Sequence, residues 1–528
     1  MRSSPNAKLS LTAQGIWLLL AKITSFGLGV LLPFLIVRFL PRDAVGVYKQ
    51  AFLLILNAAS IIPLGFSMSA FYFLNREDER RDTAVANILV FNGFVGGIAF
   101  LTLFLFPELL GGLFKDDELV RMAPKIGLVI WLWIFSSFLE VLPVANQEAK
   151  IATLFIVSAQ FTKTAMMIGS VVMFQTVDAI ISAALIQCVL QCILLFLYIR
   201  SRFPNIFQRF NVQFFLEQFS YAIPFGIAGV IYTLTVDIHY YFVGYHFSAA
   251  EYAIYAYGCF QLPLIAILAE SAASILIPRM NELQARSDLR EMLVLSVRAM
   301  RKLSYVYFPM YVFFLVTAGT FITTLFTADF VESVPIFVIN LTLLPFSILL
   351  LDPIVRSFKE FGRRLIMIRI FTVSILVLAL WQGTPAVGMI GVISIVVIVT
   401  LIQRAIETTI VLRKLGVRLN DYKLLADTVK AALITALTGL VTYLIHDLAK
   451  SISPTLTLRL MEFSPSVPSQ PTLDFLSGAL TLCLTFLVFV PTYLGLMRFF
   501  GMFEDQEIQS MKRGVSLVFL PFKKLRSF

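Results

Sequence analysis

Leu40-Pro-Arg-Asp-Ala-Val-Gly-Val-Tyr48 and Phe247-Ser-Ala-Ala-Glu-Tyr-Ala-Ile-Tyr255 decide how this chain is read. Each leaves one apolar stretch, turns on a short polar link and enters the next. Aligning Val47-Tyr48 with Ile254-Tyr255 sets a register offset of 207 residues. The charged loops that begin at Asn75 and Glu282 then coincide as well. Similarity at one fixed offset points to an internally duplicated fold. Six apolar stretches separate the copies, so both halves have the same orientation, related by an axis along the membrane normal.

Outward from these two motifs, the apolar stretches fall at 13–39, 48–74, 83–106, 125–143, 151–173 and 179–199, then at 218–243, 253–277, 303–326, 334–355, 365–382 and 387–412. Two more follow at 426–446 and 473–498. Each is long enough to cross a hydrocarbon layer of roughly 30 Å. A chain that is 59% hydrophobic and 14% charged has too much apolar surface for a water-soluble core. The expected fold is therefore all-α and polytopic, with about 14 transmembrane helices.

Lys and Arg in the connecting segments orient it. One side holds both ends of the chain and carries about 29 basic residues; the other has roughly five, Arg42, Lys115, Arg121, Lys450 and Arg459. Both termini are thus expected in the cytoplasm. The net charge of +10 faces anionic headgroups and calls for no nucleic acid. The expected domains are an N-lobe over 1–217 with an interfacial linker, a C-lobe over 218–412, and a last pair of spans with a basic tail over 413–528. Segments 202–217 and 278–302 read as interfacial helices, the second interleaving Met280, Leu283, Met292 and Met300 with Arg286, Arg290, Arg298 and Lys302. The Pro-rich stretch 447–472 reads as an irregular link, and Lys512 to Arg526 as a further membrane-surface segment.

Several enzymatic readings fail. There is no Gly-Lys pair for a phosphate loop, no HExxH, and no paired catalytic groups on a sizeable loop. Cys188, Cys192, Cys259 and Cys483 all lie in apolar stretches without metal-ligand spacing and read as small core residues. No catalytic residue, metal or cofactor is expected.

Ionisable groups at bilayer depth are costly unless they face a cavity or a partner, so each is a candidate. Lys22 lies in span one with Ser25, Gly29 and Pro33 at helical spacing; Lys49 and Asn57 lie in span two; Gln160 and Lys163 line up in span five. Lys49, at a span end, can snorkel to the headgroups, whereas Lys163 is near mid-span. The acids are Glu140 at the end of span four, Asp237 in span seven, Glu270 in span eight and Asp352 at the end of span ten. They are candidates for ion or proton coupling. Glu270 is expected to share a helix face with Cys259, Pro263 and Ser274. His239, two residues from Asp237, points to another face. Pro33, Pro63, Pro224, Pro263, Pro309 and Pro345 bend or break their spans.

The runs Phe39-Leu-Pro-Arg-Asp-Ala-Val-Gly-Val-Tyr-Lys-Gln50 and Pro63-Leu-Gly-Phe-Ser-Met-Ser-Ala-Phe-Tyr-Phe-Leu-Asn75 resemble the opening of Wzx-type polysaccharide flippases. These belong to the multidrug/oligosaccharidyl-lipid/polysaccharide (MOP) exporter superfamily. Ala253-Ile-Tyr-Ala-Tyr257 is similar to that family's second-half repeat. The likeness spans the whole chain in topology, and mainly spans one, two, seven and eight in sequence.

The resemblance implies two six-helix lobes in a V-shaped, MATE-like bundle plus two extra C-terminal helices. It implies a flippase moving an undecaprenyl-pyrophosphate-linked oligosaccharide, the repeat unit of O-antigen, exopolysaccharide or capsule, across the bacterial inner membrane by alternating access. Cations lining the cavity would meet the pyrophosphate; Lys22 and Lys163 fit by location and charge, not by motif. Expected partners are the polyprenyl-pyrophosphate-linked oligosaccharide, anionic lipids, and a polysaccharide polymerase and glycosyltransferases, with a monomeric transporter unit. The rivals are a lipid II flippase, a cation or drug antiporter whose cavity acids would dominate, and a membrane polymerase or ligase needing catalytic groups in a large external loop.

Overall fold

The computed structural model describes residues 11–76, 80–204, 206, 211–461 and 469–503. Among these residues the chain is helical throughout, with no strand. The side chain of Lys22, part of the 202–217 segment, residues 462–468 of the Pro-rich link and the tail from Lys512 lie outside the described residues. Helix occupies every one of the apolar stretches read from the sequence. Among the described residues, eleven helices are each long and apolar enough on their own to cross a membrane.

The chain divides into two compact units. The first comprises 1–261 with 365–400 and the second 262–364 with 401–528. This grouping is by packing, and the division into lobes at 217 and 412 stands as a proposal based on the repeat.

The first unit contains α1 (Leu11–Phe39), α2 (Arg42–Ile61), α3 (Ala70–Arg76), α4 (Arg81–Leu105), α5 (Glu108–Phe114), α6 (Asp117–Ser136) and α7 (Phe138–Ala145). It continues through α8 (Ala149–Phe174), α9 (Val177–Arg202), α10 (Val212–His246) and α11 (Ala249–Gly258). Local chemistry sets the helix starts. Asp116, Thr176 and Asn211 cap α6, α9 and α10 by accepting backbone N–H bonds that the first turn cannot satisfy internally. Ser248 and Glu251 form a reciprocal capping box on α11, within the second copy of the repeat. Span two breaks after α2, where Pro63 precedes Leu64 and Gly65, both in the left-handed region.

α1 packs along α8, α4 on α6, and α2 on α11. Two glycines allow the closest approaches. A Cβ on Gly46 would lie 1.8 Å from the Ala249 carbonyl oxygen, and one on Gly226 would lie 2.0 Å from that of Leu64. The two copies of the repeat, α2 and α11, therefore meet backbone to backbone. A buried core of Phe66, Phe73, Phe138, Leu142, Leu195 and Phe214 joins α3, α4, α7, α9 and α10.

The second unit contains α12 (Pro263–Ala285), α13 (Leu289–Phe326), α14 (Ser333–Leu341), α15 (Asp352–Arg356), α17 (Ala426–Met461) and α18 (Gln470–Phe499). α16 (Lys359–Lys414) runs through both units, and Gly388, at φ 64° and ψ −178°, interrupts it just past the expected boundary between spans eleven and twelve, which is itself helical. α13, α17 and α18 pack together. His446 joins them, 3.1 Å from the Thr320 hydroxyl through Nε2 and 3.1 Å from that of Thr485 through Nδ1.

Three expectations are corrected. Segment 278–302 is not a separate interfacial helix: its halves extend α12 and α13, which part at Ser287 in the left-handed region, and Asp288 caps α13. Met280, Leu283 and Met292 are buried against protein, not lipid. The stretch after 446 is not irregular as far as Met461, because α17 continues through Pro454. A proline costs the helix only one backbone bond there, and Ser453 back-bonds to the Ala449 carbonyl at 2.7 Å. Finally, Cys259 and Glu270 share no helix face, since the chain leaves helical geometry between Gly258 and Pro263.

Candidate functional site

The described candidate residues of the first unit fall in two clusters. One lies where α2 meets α10 and α11. The Lys49 ammonium sits 4.4 Å from the centroid of the Tyr257 ring, within cation–π range. Two turns along α2, Asn57 Nδ2 donates to the Tyr241 hydroxyl at 3.3 Å, and Asp237 lies beside the same amide. Ser60 and Thr233 hydroxyls lie 3.4 Å apart on the same two helices. His239 turns away from Asp237 to meet the Tyr255 hydroxyl at 2.7 Å in a fully buried contact. Gln50 is buried, and its Oε1 has no hydrogen-bond partner. The helical period explains the arrangement, because Lys49, Asn57 and Ser60 all fall on the face that α10 and α11 cover.

The second cluster lies around α6, α7 and α8. Lys163 is half-buried, with its ammonium 5.4 Å from the centroid of the Trp133 ring. Glu140, at the start of α7, is close enough for each charge to be felt by the other, yet the two are not in ion-pair contact. Gln160 lies one turn before Lys163, donates to the Thr164 hydroxyl at 3.3 Å, and faces Gly29 of α1. Lys22 lies two turns before Gly29 on α1. Gln187 of α9 donates to the Ala159 carbonyl at 3.4 Å and ties α9 to the same helix.

The structure thus brings Asn57 together with Asp237, and Lys163 with Glu140. It leaves Lys49 on a different neighbour, the aromatic α11. Asp352 and Glu270 belong to the second unit. Asp352 pairs with Arg356 at 2.8 Å, one turn along α15, as a helix-end ion pair does. Glu270 is exposed on α12. Sequence reasoning missed Trp133, Tyr241 and Tyr257 as partners. Of the three, only Tyr257 carries a sequence signal, the run Ala253-Ile-Tyr-Ala-Tyr257, noted for its repetition and not for its rings.

The class this defines is a multi-pass, all-helical membrane protein with polar groups held inside the apolar bundle. Its fold is like those of solved MurJ and MATE transporters. The chain is similar to the lipid II flippase MurJ in an inward closed conformation, at 15% identity and a TM-score of 0.67 over 93% of this chain and 98% of the other. It is similar to an inward-facing multidrug resistance MATE family transporter, at 14% identity and a TM-score of 0.56 over 78% and 96%. It is also similar to a MOP superfamily transporter from Pyrococcus furiosus, at 14% identity and a TM-score of 0.54 over 76% and 95%. No curated protein sequence matches it. Residues 35–335, more than half of the chain, match the family described as "Polysaccharide biosynthesis protein", and the chain belongs to that family.

Proposed function

We propose that the chain is a flippase for a polyprenyl-pyrophosphate-linked oligosaccharide in the bacterial inner membrane, working by alternating access between two lobes, 1–217 and 218–412. The carrying observation is Lys163: a cation inside the bundle, on an aromatic face, near a carboxylate but not closed onto it. A fully formed Lys–Glu pair would already be neutralised. This open arrangement leaves the ammonium available to a phosphate oxygen, and Coulomb attraction between them is strong in a medium of low polarity. Gln160 and Asn57 supply neutral hydrogen-bonding groups suited to sugar hydroxyls.

Substrate that binds one state better shifts the balance between states by that difference in affinity. Membership of a polysaccharide biosynthesis family supports the cargo class. Asp237, beside Asn57 in the other cluster, is the group we assign to ion or proton coupling. The same geometry suits lipid II, whose pyrophosphate is chemically equivalent at the lysine. The test is reconstitution into liposomes with a labelled polyprenyl-pyrophosphate-sugar and, separately, lipid II, scoring leaflet accessibility over time. Translocation of neither substrate, by protein shown to be inserted and folded, overturns the proposal.

A further inference from the structure

The second unit contains an apolar cavity that the transport reading leaves unused. Its volume is about 250 Å³, and its walls come from the end of α12, the start of α13, the stretch before α15, the end of α16 and the link 415–425. Met280, Leu293, Met300, Leu350, Val411 and Leu415 are among the lining groups. Met280 and Met300 belong to the basic-apolar pattern that the sequence suggested would lie on lipid; here they line a cavity. An engineered apolar cavity of about 150 Å³ takes up benzene, so this space is ample for part of a hydrocarbon chain.

Two further observations say what fills it. The two segments that frame the cavity, 289–302 and 411–425, carry eight Lys and Arg against two acids. Link residues Leu419 and Tyr422 are 88% and 54% exposed, beside Arg418 and Lys423. Exposed apolar groups interleaved with cations are how a segment rests on an anionic membrane surface.

We infer that this cavity binds one acyl chain of an anionic glycerophospholipid, with the phosphate held by the basic rim at Arg413 and Arg418. A zwitterionic lipid has the same chain but carries a cation beside its phosphate, so the rim discriminates against it. This site does not depend on the cargo assigned to the first unit, and its success or failure leaves that assignment untouched.

The test uses the full chain, purified in detergent, stripped of lipid, and titrated with phosphatidylglycerol or phosphatidylcholine while bound lipid is counted by native mass spectrometry. Phosphatidylglycerol should bind at least tenfold more tightly than phosphatidylcholine. Ala299→Trp and Val297→Trp, which fill the cavity, should each abolish that tight site. Arg413→Gln with Arg418→Gln should remove the preference while leaving weak binding of both lipids. Thermal unfolding of each variant reports folding independently, and only variants that unfold near the wild-type temperature are scored. Equal binding of the two lipids, or undiminished phosphatidylglycerol binding by either folded Trp variant, overturns the site.

Discussion

Gly46→Ala with Gly226→Ala tests whether backbone contact between α2 and its neighbours holds one state of the transport cycle. The added Cβ atoms would fall 1.8 Å from the Ala249 oxygen and 2.0 Å from the Leu64 oxygen. Carbon atoms do not approach oxygen that closely, and the opposing atoms are backbone, so no side chain can swing aside. The helices must part by about 1 Å, and overpacking of this kind costs about 1–3 kcal/mol per site. Each substitution should therefore disfavour the closed packing by about 5- to 150-fold, and the pair should add where they act independently.

The assay is disulfide formation between Ser60→Cys and Thr233→Cys, whose hydroxyls lie 3.4 Å apart across the same packing. It is run in membranes with limiting oxidant, with the four native cysteines replaced. The cross-linking rate should fall at least fivefold in each glycine variant and further in the double variant. Gly29→Ala is the control, because its Cβ would meet only Gln160 at an ordinary 3.8 Å. It also carries the gain in helix propensity that any Gly-to-Ala change brings, about 1 kcal/mol in water. An unchanged cross-linking rate in the double variant refutes the reasoning.

Three further outcomes follow from named contacts. Lys163→Glu, placing a second carboxylate near Glu140, should abolish flipping in liposomes without preventing insertion; transport that survives removes Lys163 from the pyrophosphate site. Tyr257→Phe should keep transport near wild type because the ring still faces Lys49, whereas Tyr257→Leu should lower it several-fold; equal rates for both would dismiss the cation–π contact. His446→Ala removes the link between Thr320 and Thr485, and should destabilise the packing of α13, α17 and α18 by about 1–3 kcal/mol, read as a lower unfolding temperature in detergent.

Much of the architecture was legible because hydrophobicity and charge are properties of the chain in order. A run of apolar residues becomes a helix in lipid wherever it falls, since no other single segment satisfies its own backbone there. That reasoning located helix at every expected stretch, and it picked out Lys163, Glu140, Asn57 and Asp237 as residues with something to explain. It failed at Pro454 and at 278–302 for one shared reason. Proline and interleaved charges are read as breaks or surface, but α17 runs on through Pro454, and Met280, Leu283 and Met292 between the charges pack on protein.

Which of those groups meet was a matter for the tertiary structure alone. Asn57 and Tyr241 are 184 residues apart, and only the packing of α2 against α10 sets their registers one against the other. The same holds for Trp133 under Lys163 and for the cavity walled by residues from five separate segments. The chain in order determined that there would be helices long and apolar enough to cross a membrane, with a few ionisable groups among them. Close packing, set by backbone contacts at Gly46 and Gly226 as much as by any charge, decided which of those groups became neighbours.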